Sequence, residues 1–575
     1  MSVITAKTAG FCWGVRRAVD MVLAALRQGR DPYAVYGQLV HNPQVISALE
    51  ERGVKVCTSP ESMDSGTLFL RTHGTPRKER RRLARLPVNI RDLTCPRVGR
   101  ALALANKKSS EGYDVIVLGD PSHQEVRAIL SYGGSGARVI TGPEDVSELK
   151  GVSKPFFLSQ TTQNTEKYRE AERALRERFP ELESVCTICD STELRQEELR
   201  SLCRRVDCVV VVGGKNSANT ARLAEIAREE GVPSFHVETQ EELDPDEISR
   251  YDDVLLTAGA STPSWSIRKV RETLLEIQGG GLRMGRLRRF ISNAIHGNFH
   301  VLPVTFVLGA AAAGVLGITD WVRHVLAASL FLYGVHTLTS VLESEYSHPS
   351  GLRRQEFLRK HRRALTVISI CAFSASIAIA LLEGLVWTAV LAVMLLAFLV
   401  YSLPLIRKVY PFRGLRSIHG SRDLMFAGAW SFLLAFLPGY MAAGQTLKTG
   451  TALWAGILFF LFLCRCLVGD LVDLQGDALM GMDTIPIQAG RSRSIALLWI
   501  CFILTGLLLF TGMALDYLTF EASGLAAGLI SLVAGYLVLK STPFPSELEK
   551  RFITDGSLFV AGAAPVLLSL AKGSL

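Results

Sequence analysis

An abrupt change in hydropathy near Gln278 divides this 575-residue chain into two parts that must fold in different ways. Up to Gln278, charged side chains alternate with short apolar runs, which is typical of a soluble α/β protein. After the segment QGGGLRMGRLRRF, apolar stretches recur that each approach the roughly 20 residues needed to cross a bilayer. We therefore predict a soluble domain at 1–278, a basic linker at 279–298 and a transmembrane domain at 299–575.

The second half contains nine candidate spans, near 299–318, 321–339, 364–383, 385–404, 424–443, 451–469, 495–514, 517–539 and 553–571. They predict an all-α membrane bundle of about nine helices and account for the mean hydropathy of +0.25. Basic residues are concentrated in alternate loops, at 353–363 and 407–422, which the positive-inside rule assigns to the cytoplasm. We expect a multi-pass protein of the cytoplasmic (inner) membrane, with its soluble half on the cytoplasmic side.

Charge and cysteine content argue against other classes of protein. The formal net charge of +9 comes mostly from loops beside the apolar spans, so we do not expect nucleic-acid binding. The eleven cysteines are scattered over both halves and lack the pattern of a disulfide scaffold. The start MSVITAKTAG has no long apolar core, so we expect no secretory signal peptide.

Several segments of the first half share one pattern, in which a run rich in valine or isoleucine leads through a polar turn into a helix. The clearest are DVIVLGDPSHQEVRAIL, DCVVVVGGKNSANTARLAEIA and DVLLTAGASTPSWSIRKVRETLL. Strands that alternate with helices predict parallel sheets, whose ligands bind at the carboxyl ends of the strands. Each turn presents backbone N–H groups at a helix start, together with polar side chains. This arrangement favours an anion, phosphate above all.

Three cysteines, far apart in sequence, each precede a predicted helix: Cys12 in GFCWGV, Cys95 in LTCPRV and Cys189 in TICDST. We also expect Asp190 and Glu193 to cap the third helix. A helix N-terminus favours a thiolate, the form of sulfur that binds metal or acts as a nucleophile. Three thiolates without a nearby fourth suit a [4Fe–4S] cluster with one iron left for substrate. Two alternatives stay open: buried core cysteines, or a C-x-x-C redox or zinc pair of Cys186 and Cys189.

Histidines occupy the same kind of turn. His41 lies in YGQLVHNPQV, His73 in FLRTHGTPRKE and His123 in GDPSHQEV. A single histidine is more often structural, but three of them at strand-to-helix turns predict hydrogen-bond donors to a diphosphate. Glu125 follows His123 by two residues, where a carboxylic acid in a pocket shielded from water can deliver protons.

The motifs of the first half, in this order and spacing, resemble those of the 4-hydroxy-3-methylbut-2-enyl diphosphate reductases, the IspH/LytB family. They are GFCWGV, VHNPQV, THG, TCP, SHQEV, SQTTQNT, TICDSTELRQ, GGKNSANTARL and TAGAS. The resemblance implies three αβα units around a central [4Fe–4S] cluster. It implies a reaction in which two electrons and protons expel the allylic hydroxyl as water, giving isopentenyl and dimethylallyl diphosphate. It also implies an electron donor such as ferredoxin or flavodoxin.

The same resemblance implies roles for individual residues. Cys12, Cys95 and Cys189 would hold the cluster, and Glu125 and Thr161 would orient and protonate the allylic hydroxyl. The diphosphate would be bound by six polar side chains, those of His41, His73, His123, Ser217, Asn219 and Ser261. The chain departs from the family pattern at Ala218, where a second serine is expected.

One segment of the second half, CLVGDLVDLQGDALMGMDTIPIQAGR, carries grouped carboxylates. Asp470, Asp473 and Asp477 are spaced to share one helix face, where Mg²⁺ bound to a diphosphate would relieve their repulsion. A solvated loop helix is the alternative. This spacing, together with YSLPLIRKVY and GMDTIPIQAG, resembles the UbiA-type intramembrane prenyltransferases, which implies prenyl transfer with a membrane lipid as partner.

The first aspartate motif of that family, N-D-x-x-D-x-x-x-D, is degenerate in this chain. His336, Thr337, Ser340 and Ser344 occupy its closest alignment, with Glu343 and Glu345 out of register. Three interpretations of the whole chain follow. The first is a reductase tethered to a divergent transferase or to a retired one that serves as an anchor. The second is a prenyltransferase with a vestigial or regulatory cluster domain, and the third a binding module without turnover. Glu125 and Thr161 favour the first, since binding alone needs no proton donor.

Overall fold

The computed structural model describes residues 2–29, 32–278, 290–345, 353–402, 420–479 and 484–573. The chain forms two compact units, Met1–Gly279 and Gly280–Leu575. The first unit is built of parallel sheets and helices and the second of helices, which confirms the predicted α/β and all-α classes.

In the first unit, strands and helices alternate along the chain, as the hydropathy pattern predicts. The strands are β1 (Ser2–Thr5), β2 (Tyr33–Tyr36), β3 (Val54–Cys57), β4 (Thr67–Leu70), β5 (Asn89–Asp92), β6 (Asp114–Leu118), β7 (Arg138–Ile140), β8 (Pro155–Ser159), β9 (Glu183–Ser184), β10 (Cys208–Val212), β11 (Ser234–Val237) and β12 (Asp253–Ala258). The helices are α1 (Trp13–Arg27), α2 (Pro43–Glu50), α3 (Arg77–Leu83), α4 (Pro96–Ser110), α5 (Gln124–Tyr132), α6 (Thr165–Arg178), α7 (Asp190–Cys203), α8 (Ala218–Glu229), α9 (Pro245–Ile248) and α10 (Ser264–Gln278).

The strands form three four-stranded sheets, each entirely parallel. Their orders are β3-β2-β4-β5, β7-β6-β8-β9 and β1-β12-β10-β11. Central strands such as β8 and β10 are buried along their whole length, because helices cover both faces of a parallel sheet. The third sheet joins the two ends of the unit: β1 pairs with β12, with Ser2 opposite Asp253.

Each sheet sends one of the three predicted ligand cysteines toward a helix start. Cys12 follows β1, Cys95 follows β5 and Cys189 follows β9. These strands belong to three different sheets, so each cysteine is positioned by a different sheet. The topology places all of them beyond the carboxyl ends of parallel strands, where ligands bind in folds of this class.

Within the described ranges, the second unit consists almost entirely of helices. They are α11 (Phe290–His296), α12 (Val301–Leu316), α13 (Trp321–Glu345), α14 (Arg353–Lys360), α15 (Arg362–Glu383), α16 (Leu385–Ser402), α17 (Ser421–Ala442), α18 (Thr449–Leu479), α19 (Ile485–Ala489), α20 (Arg491–Ala514), α21 (Leu525–Ser541) and α22 (Glu547–Lys572). A π-helical turn at Phe432–Phe436 interrupts α17. The helix α11 lies within the predicted linker 279–298, of which 279–289 falls outside the described residues.

Within the described ranges, seven helices of this unit are long and apolar enough to cross a membrane. An eighth span arises if α11 and α12, bent by 71° to each other, are taken together. The predicted span 385–404 corresponds to a shorter apolar helix, Leu385–Leu399. Large apolar side chains such as Leu382, Phe510 and Phe552 are 70–73% exposed on the outside of the bundle. An apolar exterior of this kind is suited to lipid.

Small residues allow the helices of this bundle to pack closely. A Cβ atom added at Gly562 in α22 would lie 2.7 Å from the backbone nitrogen of Leu308 in α12. One added at Gly528 in α21 would lie 2.2 Å from the Cβ of Ala561. Contacts of this kind are typical of helix packing in membranes, where dispersion rather than the hydrophobic effect holds helices together.

Candidate active site

Each predicted ligand cysteine occupies the N-cap position of a helix. The Cys12 Sγ accepts a hydrogen bond from the backbone N–H of Val15 at 3.4 Å, and the Cys12 backbone N–H donates to the Ala260 carbonyl at 3.0 Å. Cys95 and Cys189 cap α4 and α7 by position. The expected capping by Asp190 and Glu193 is wrong, because Asp190 is already the first residue of α7 and its carboxylate pairs with Arg97.

The three cysteines line a single cavity. A Cβ atom added at Gly14 in α1 would lie 2.6 Å from the Cys95 Sγ and 3.9 Å from the Cys12 Sγ, so the helix backbone passes directly beside two of the sulfurs. Among the described residues, no group of three or more His, Cys, Asp or Glu side chains is arranged to hold a single metal ion. Three thiols that line one cavity suit a cofactor larger than a single metal ion. An iron–sulfur cluster is such a cofactor, and it is held by cysteine sulfur.

Burial opposes ionisation of two of these thiols. It raises the pKa of Cys95 and of Cys189, although backbone N–H groups at the helix starts act in the opposite direction. The expected stabilisation of thiolates by the helix N-terminus is therefore present but is outweighed by desolvation. A metal cation bound by these cysteines would favour the thiolates, because coordination deprotonates a thiol outright.

The three predicted histidines form a cluster in the same cavity. The ring centroids of His41 and His73 are 4.3 Å apart, and His123 lies 5.8 Å from each. Burial lowers the pKa of all three, to about 4 for His123 and well below the ordinary value for His73, where the other two imidazoles and Arg71 add to the effect. The three imidazoles are therefore neutral at pH 7, and a bound anion would favour their protonation.

Buried donors without acceptors accompany these histidines. Nε2 of His41 and Nδ2 of Asn219 are enclosed and have no hydrogen-bond partner in the described part of the chain. Ser217 and Ser261 are also buried and line the cavity, and the Ser261 hydroxyl donates to the His41 carbonyl at 3.3 Å. Since buried polar groups are almost always paired, this set lacks an acceptor-rich ligand, which phosphate oxygens would supply.

Glu125 and Thr161 form a buried pair at the edge of the cavity. The carboxylate accepts hydrogen bonds from the Thr161 backbone N–H at 2.7 Å and from its hydroxyl at 2.9 Å. Glu125 is only 1% exposed, and burial raises its pKa to about 7 against the opposing effect of these two bonds. A carboxyl group with this pKa is protonated in a substantial fraction of molecules at neutral pH, as a proton donor must be.

The eleven residues predicted as cluster ligands, diphosphate contacts or proton donors thus line one cavity, although they span positions 12 to 261 of the chain. Sequence reasoning missed other lining residues, namely Thr72, Arg97, Thr162, Ser191 and Thr192. It also gave no role to Arg195, which is 3% exposed on the buried stripe of α7. Its neighbours on this helix face, Thr192 and Gln196, are polar, so the hydropathy pattern gave no signal for its burial.

In the second unit, only part of the predicted carboxylate site falls on described side chains. Asp470 in α18 is buried and accepts a hydrogen bond from Arg422 at 2.9 Å. The side chains of Asp473 and Asp477, like those of Glu343 and Glu345, lie outside the described residues.

The positions aligned with the degenerate motif lie on α13. Nε2 of His336 is enclosed without a hydrogen-bond partner in the described ranges, and Thr337 and Ser344 are buried. The Ser340 hydroxyl accepts hydrogen bonds from Arg354 at 2.8 Å and from Asn298 at 3.3 Å. The Ser340 hydroxyl here contacts a guanidinium, where the family pattern would place a carboxylate.

A second ionic network in this unit is centred on Asp555 in α22. Its carboxylate accepts from Arg465 at 2.7 Å and contacts His300 at 2.9 Å, and the side chain of Asp555 is 9% exposed. Arg551 lies 4.0 Å from the same carboxylate. Burying an ionisable group inside an apolar bundle costs free energy unless the group is paired. The Asp555 carboxylate in α22 pairs with the Arg465 guanidinium in α18.

Comparison with known proteins agrees with this geometry for the first half of the chain. The LytB protein family profile matches residues 3–275. The 4-hydroxy-3-methylbut-2-enyl diphosphate reductase of Pelobacter propionicus is 42% identical over 277 residues, which cover 48% of this chain and 99% of that protein. The reductases of Geotalea uraniireducens and an Anaeromyxobacter species are 40% and 42% identical and are covered over 98% and 95% of their lengths. With a complete reductase-like sequence in its first half, this chain belongs to the LytB family.

Proposed function

We propose that the first half of this chain reduces 4-hydroxy-3-methylbut-2-enyl diphosphate to isopentenyl and dimethylallyl diphosphate. The observation that carries the proposal is the convergence of eleven predicted residues, from Cys12 to Ser261, on one cavity. The reaction consumes two electrons and two protons and releases the allylic hydroxyl as water. The curated relatives that carry this name are covered almost end to end.

The diphosphate would be bound by the neutral histidine cluster and the hydroxyl and amide groups beside it. His41 and Asn219 offer buried donors that have no partner among the described residues, and an anion supplies acceptors for both. Negative charge beside His73 and His123 favours their protonated forms, which strengthens each hydrogen bond. Binding of the diphosphate and proton uptake are therefore linked.

Glu125 would deliver a proton to the leaving hydroxyl. Its pKa of about 7 keeps a large protonated fraction at neutral pH, and Thr161 fixes the orientation of the carboxyl group. Cys12, Cys95 and Cys189 would hold a [4Fe–4S] cluster, which supplies single electrons and a Lewis-acidic iron when bound. A small redox protein such as ferredoxin or flavodoxin would provide the two electrons.

We further propose that the chain consists of a reductase domain at 1–278, a basic linker at 279–298 and a membrane domain at 299–575 in the cytoplasmic membrane. The membrane domain would bind a prenyl diphosphate through Mg²⁺ at Asp470, Asp473 and Asp477, or serve only as an anchor. Burial of Asp470 beside Arg422 supports a charged site at this end of the bundle. Labelled prenyl diphosphate, a lipid extract and membranes with and without Mg²⁺ test for transfer, and Asp470→Asn tests its dependence on the carboxylate.

The reductase proposal is tested with the full chain purified anaerobically in detergent. We expect about four irons and four sulfides per chain, and turnover of the hydroxylated diphosphate with a chemical reductant. Cys12→Ser, Cys95→Ser or Cys189→Ser should abolish both cluster binding and turnover. Cys57→Ser, which alters a thiol outside the cavity lining, should leave cluster binding and turnover intact. Zinc at one atom per chain in place of iron, or full iron without turnover, would overturn the proposal.

A further inference from the structure

Arg195 occupies an unusual position on α7. It follows Cys189 by six residues and is 3% exposed, on the same helix stripe as Thr192, Gln196 and Leu199. A buried arginine is costly to desolvate unless its charge and its N–H groups find partners. We therefore consider the hydrogen-bond partner of each guanidinium nitrogen in turn.

Most of the guanidinium holds the loop that leads to Cys12. Nε and Nη2 donate to the Thr8 carbonyl at 2.9 and 2.6 Å, and Nη2 also donates to the Gly10 carbonyl at 2.7 Å. The helix that carries Cys189 is thereby attached to the backbone two and four residues before Cys12. Carbonyl groups satisfy these N–H groups, but they carry no full negative charge to offset the guanidinium.

The remaining nitrogen of Arg195 has no such acceptor. Nη1 is enclosed and has no hydrogen-bond partner within the described ranges. The ionisable groups near enough to act on this guanidinium are the thiols of Cys12 and Cys189 and the carboxylate of Glu198. A buried charged donor left unsatisfied costs more than an ordinary lost hydrogen bond, so the arrangement calls for an acceptor on the side of the two cysteines.

We propose that Arg195 donates a hydrogen bond from Nη1 to a sulfur atom of the cluster that Cys12, Cys95 and Cys189 hold, and that its charge makes this cluster easier to reduce. The inference rests on the proposed function. Hydrogen bonds to the sulfurs and nearby charge are among the factors that set the potential of such clusters. A fixed positive charge favours the reduced form, which carries one more electron. Arg195 is in this sense a positioning residue that also tunes the electron acceptor.

Glu198 provides a matched control because it holds the same loop and, in the part of the chain that the structure describes, its hydrogen bonds go to that loop and not to the thiols. Its carboxylate accepts hydrogen bonds from the backbone N–H groups of Lys7 and Thr8 and from the Thr8 hydroxyl, at 2.5 to 2.8 Å. Glu198→Gln weakens this attachment and removes a negative charge. If only the position of the loop mattered, Glu198→Gln and Arg195→Gln would shift the reduction potential of the cluster in the same direction. If the charge of Arg195 matters, only Arg195→Gln lowers the potential.

The test is a reductive titration of the full chain in detergent, followed by electron paramagnetic resonance. In Arg195→Gln we expect the ratio of reduced to oxidised cluster at a fixed solution potential to fall about tenfold, which is ~59 mV for one electron. Arg195→Lys, which keeps the charge, should recover part of this loss, and Glu198→Gln should show none. Equal potentials in Arg195→Gln and the parent, or equal decreases in Arg195→Gln and Glu198→Gln, would overturn the inference.

A second measurement covers the case in which Arg195→Gln binds no cluster. Resonance Raman spectra of the parent protein should show iron–sulfur stretching bands that shift when exchangeable hydrogens are replaced by deuterium, and Arg195→Lys should alter that shift. Bands insensitive to deuterium would contradict the proposed hydrogen bond. Both measurements require the cluster but not turnover. A loaded cluster that reduces no substrate would therefore refute the proposed function while still deciding the role of Arg195.

Discussion

Both oxygens of the Glu125 carboxylate are held by one residue, Thr161, through its backbone N–H at 2.7 Å and its hydroxyl at 2.9 Å. The same Thr161 accepts a hydrogen bond at its carbonyl from the backbone N–H of Cys189 at 2.9 Å. The candidate proton donor is thus two hydrogen bonds away from a candidate cluster ligand. This short chain of contacts fixes the carboxyl group relative to the cysteine, independently of any bound substrate.

Glu125→Gln should stop reduction while leaving the cluster in place. Glutamine keeps the size of the side chain and part of its hydrogen bonding but has no carboxylic proton to give. General acid catalysis is typically worth about 10²–10⁴-fold, so we expect kcat to fall by at least that order. Iron content, the visible spectrum and the binding of inorganic diphosphate serve as controls and should match the parent. Near-normal kcat would remove Glu125 from the proton path.

Activity should decline as the pH rises through about 7. Burial raises the pKa of Glu125 from 4.5 to about 7, so the protonated form that can donate is present below this pH and is lost above it. The hydroxyl of Thr161 acts in the opposite direction by stabilising the charged form. Thr161→Val should therefore move the alkaline limb of kcat/KM to higher pH. A limb at the same pH in this variant would show that another group controls the profile.

Diphosphate binding should be accompanied by proton uptake. Burial lowers the pKa of His41, His73 and His123 in the free protein, whereas a bound anion favours the protonated forms. Affinity for inorganic diphosphate should rise as the pH falls from 8 toward 6. Calorimetry in buffers of different ionisation enthalpy measures the protons taken up, and His123→Asn should reduce their number. Identical heats in all buffers would contradict this linkage.

Gly14→Ala should disrupt the cysteine site. The added Cβ would lie 2.6 Å from the Cys95 Sγ, which is too close for a Cβ contact, so the Cys95 side chain or the start of α1 would have to shift. We expect iron per chain to fall several-fold. Gly99→Ala is the matched control, since a Cβ there meets nothing within 4 Å and Gly99 also lies in the first turn after a ligand cysteine. Iron content equal to the parent in Gly14→Ala would refute the expected clash.

In the helical unit, Asp555→Ala should destabilise the bundle by about 3–5 kcal/mol, because it leaves the largely enclosed guanidinium of Arg465 without its carboxylate partner. Thermal unfolding in detergent measures the loss. Asp516→Asn is the control: Asp516 is exposed, and its φ of 55° is one that asparagine tolerates. Equal melting temperatures for Asp555→Ala and Asp516→Asn would show that Asp555 contributes little.

The hydropathy pattern was sufficient to predict the two fold classes, whereas the convergence of the first-half motifs on one site was implied by their resemblance to the reductase family. The sequence was less informative where an interaction depends on burial. Asp190 reads as a helix cap, yet Cys189 takes that position and Asp190 pairs with Arg97. The helix start at Cys95 predicts a thiolate, yet desolvation raises the pKa of that thiol.

Arg195 shows a third limit of sequence reasoning. Its position in TELRQ is typical of a charged, solvated helix face, and no local pattern reveals that its partners are carbonyl groups about 187 residues away. Contacts over such distances along the chain are set by how the three sheets pack, and hydropathy periodicity carries no information about that packing. The spans of the second half were easier to predict, because length and composition alone define them.

The pairing of β1 with β12 has a consequence for the order of events during synthesis. Cys12 is the first of the three cysteines to be made, but its strand pairs with residues 253–256 and its backbone N–H donates to the Ala260 carbonyl. On the ribosome, Cys12 is therefore the last of the three to be fixed in place. The proposed cluster could be loaded only after residue 260 has left the exit tunnel. The apolar helix at 301–316 follows about forty residues behind that point.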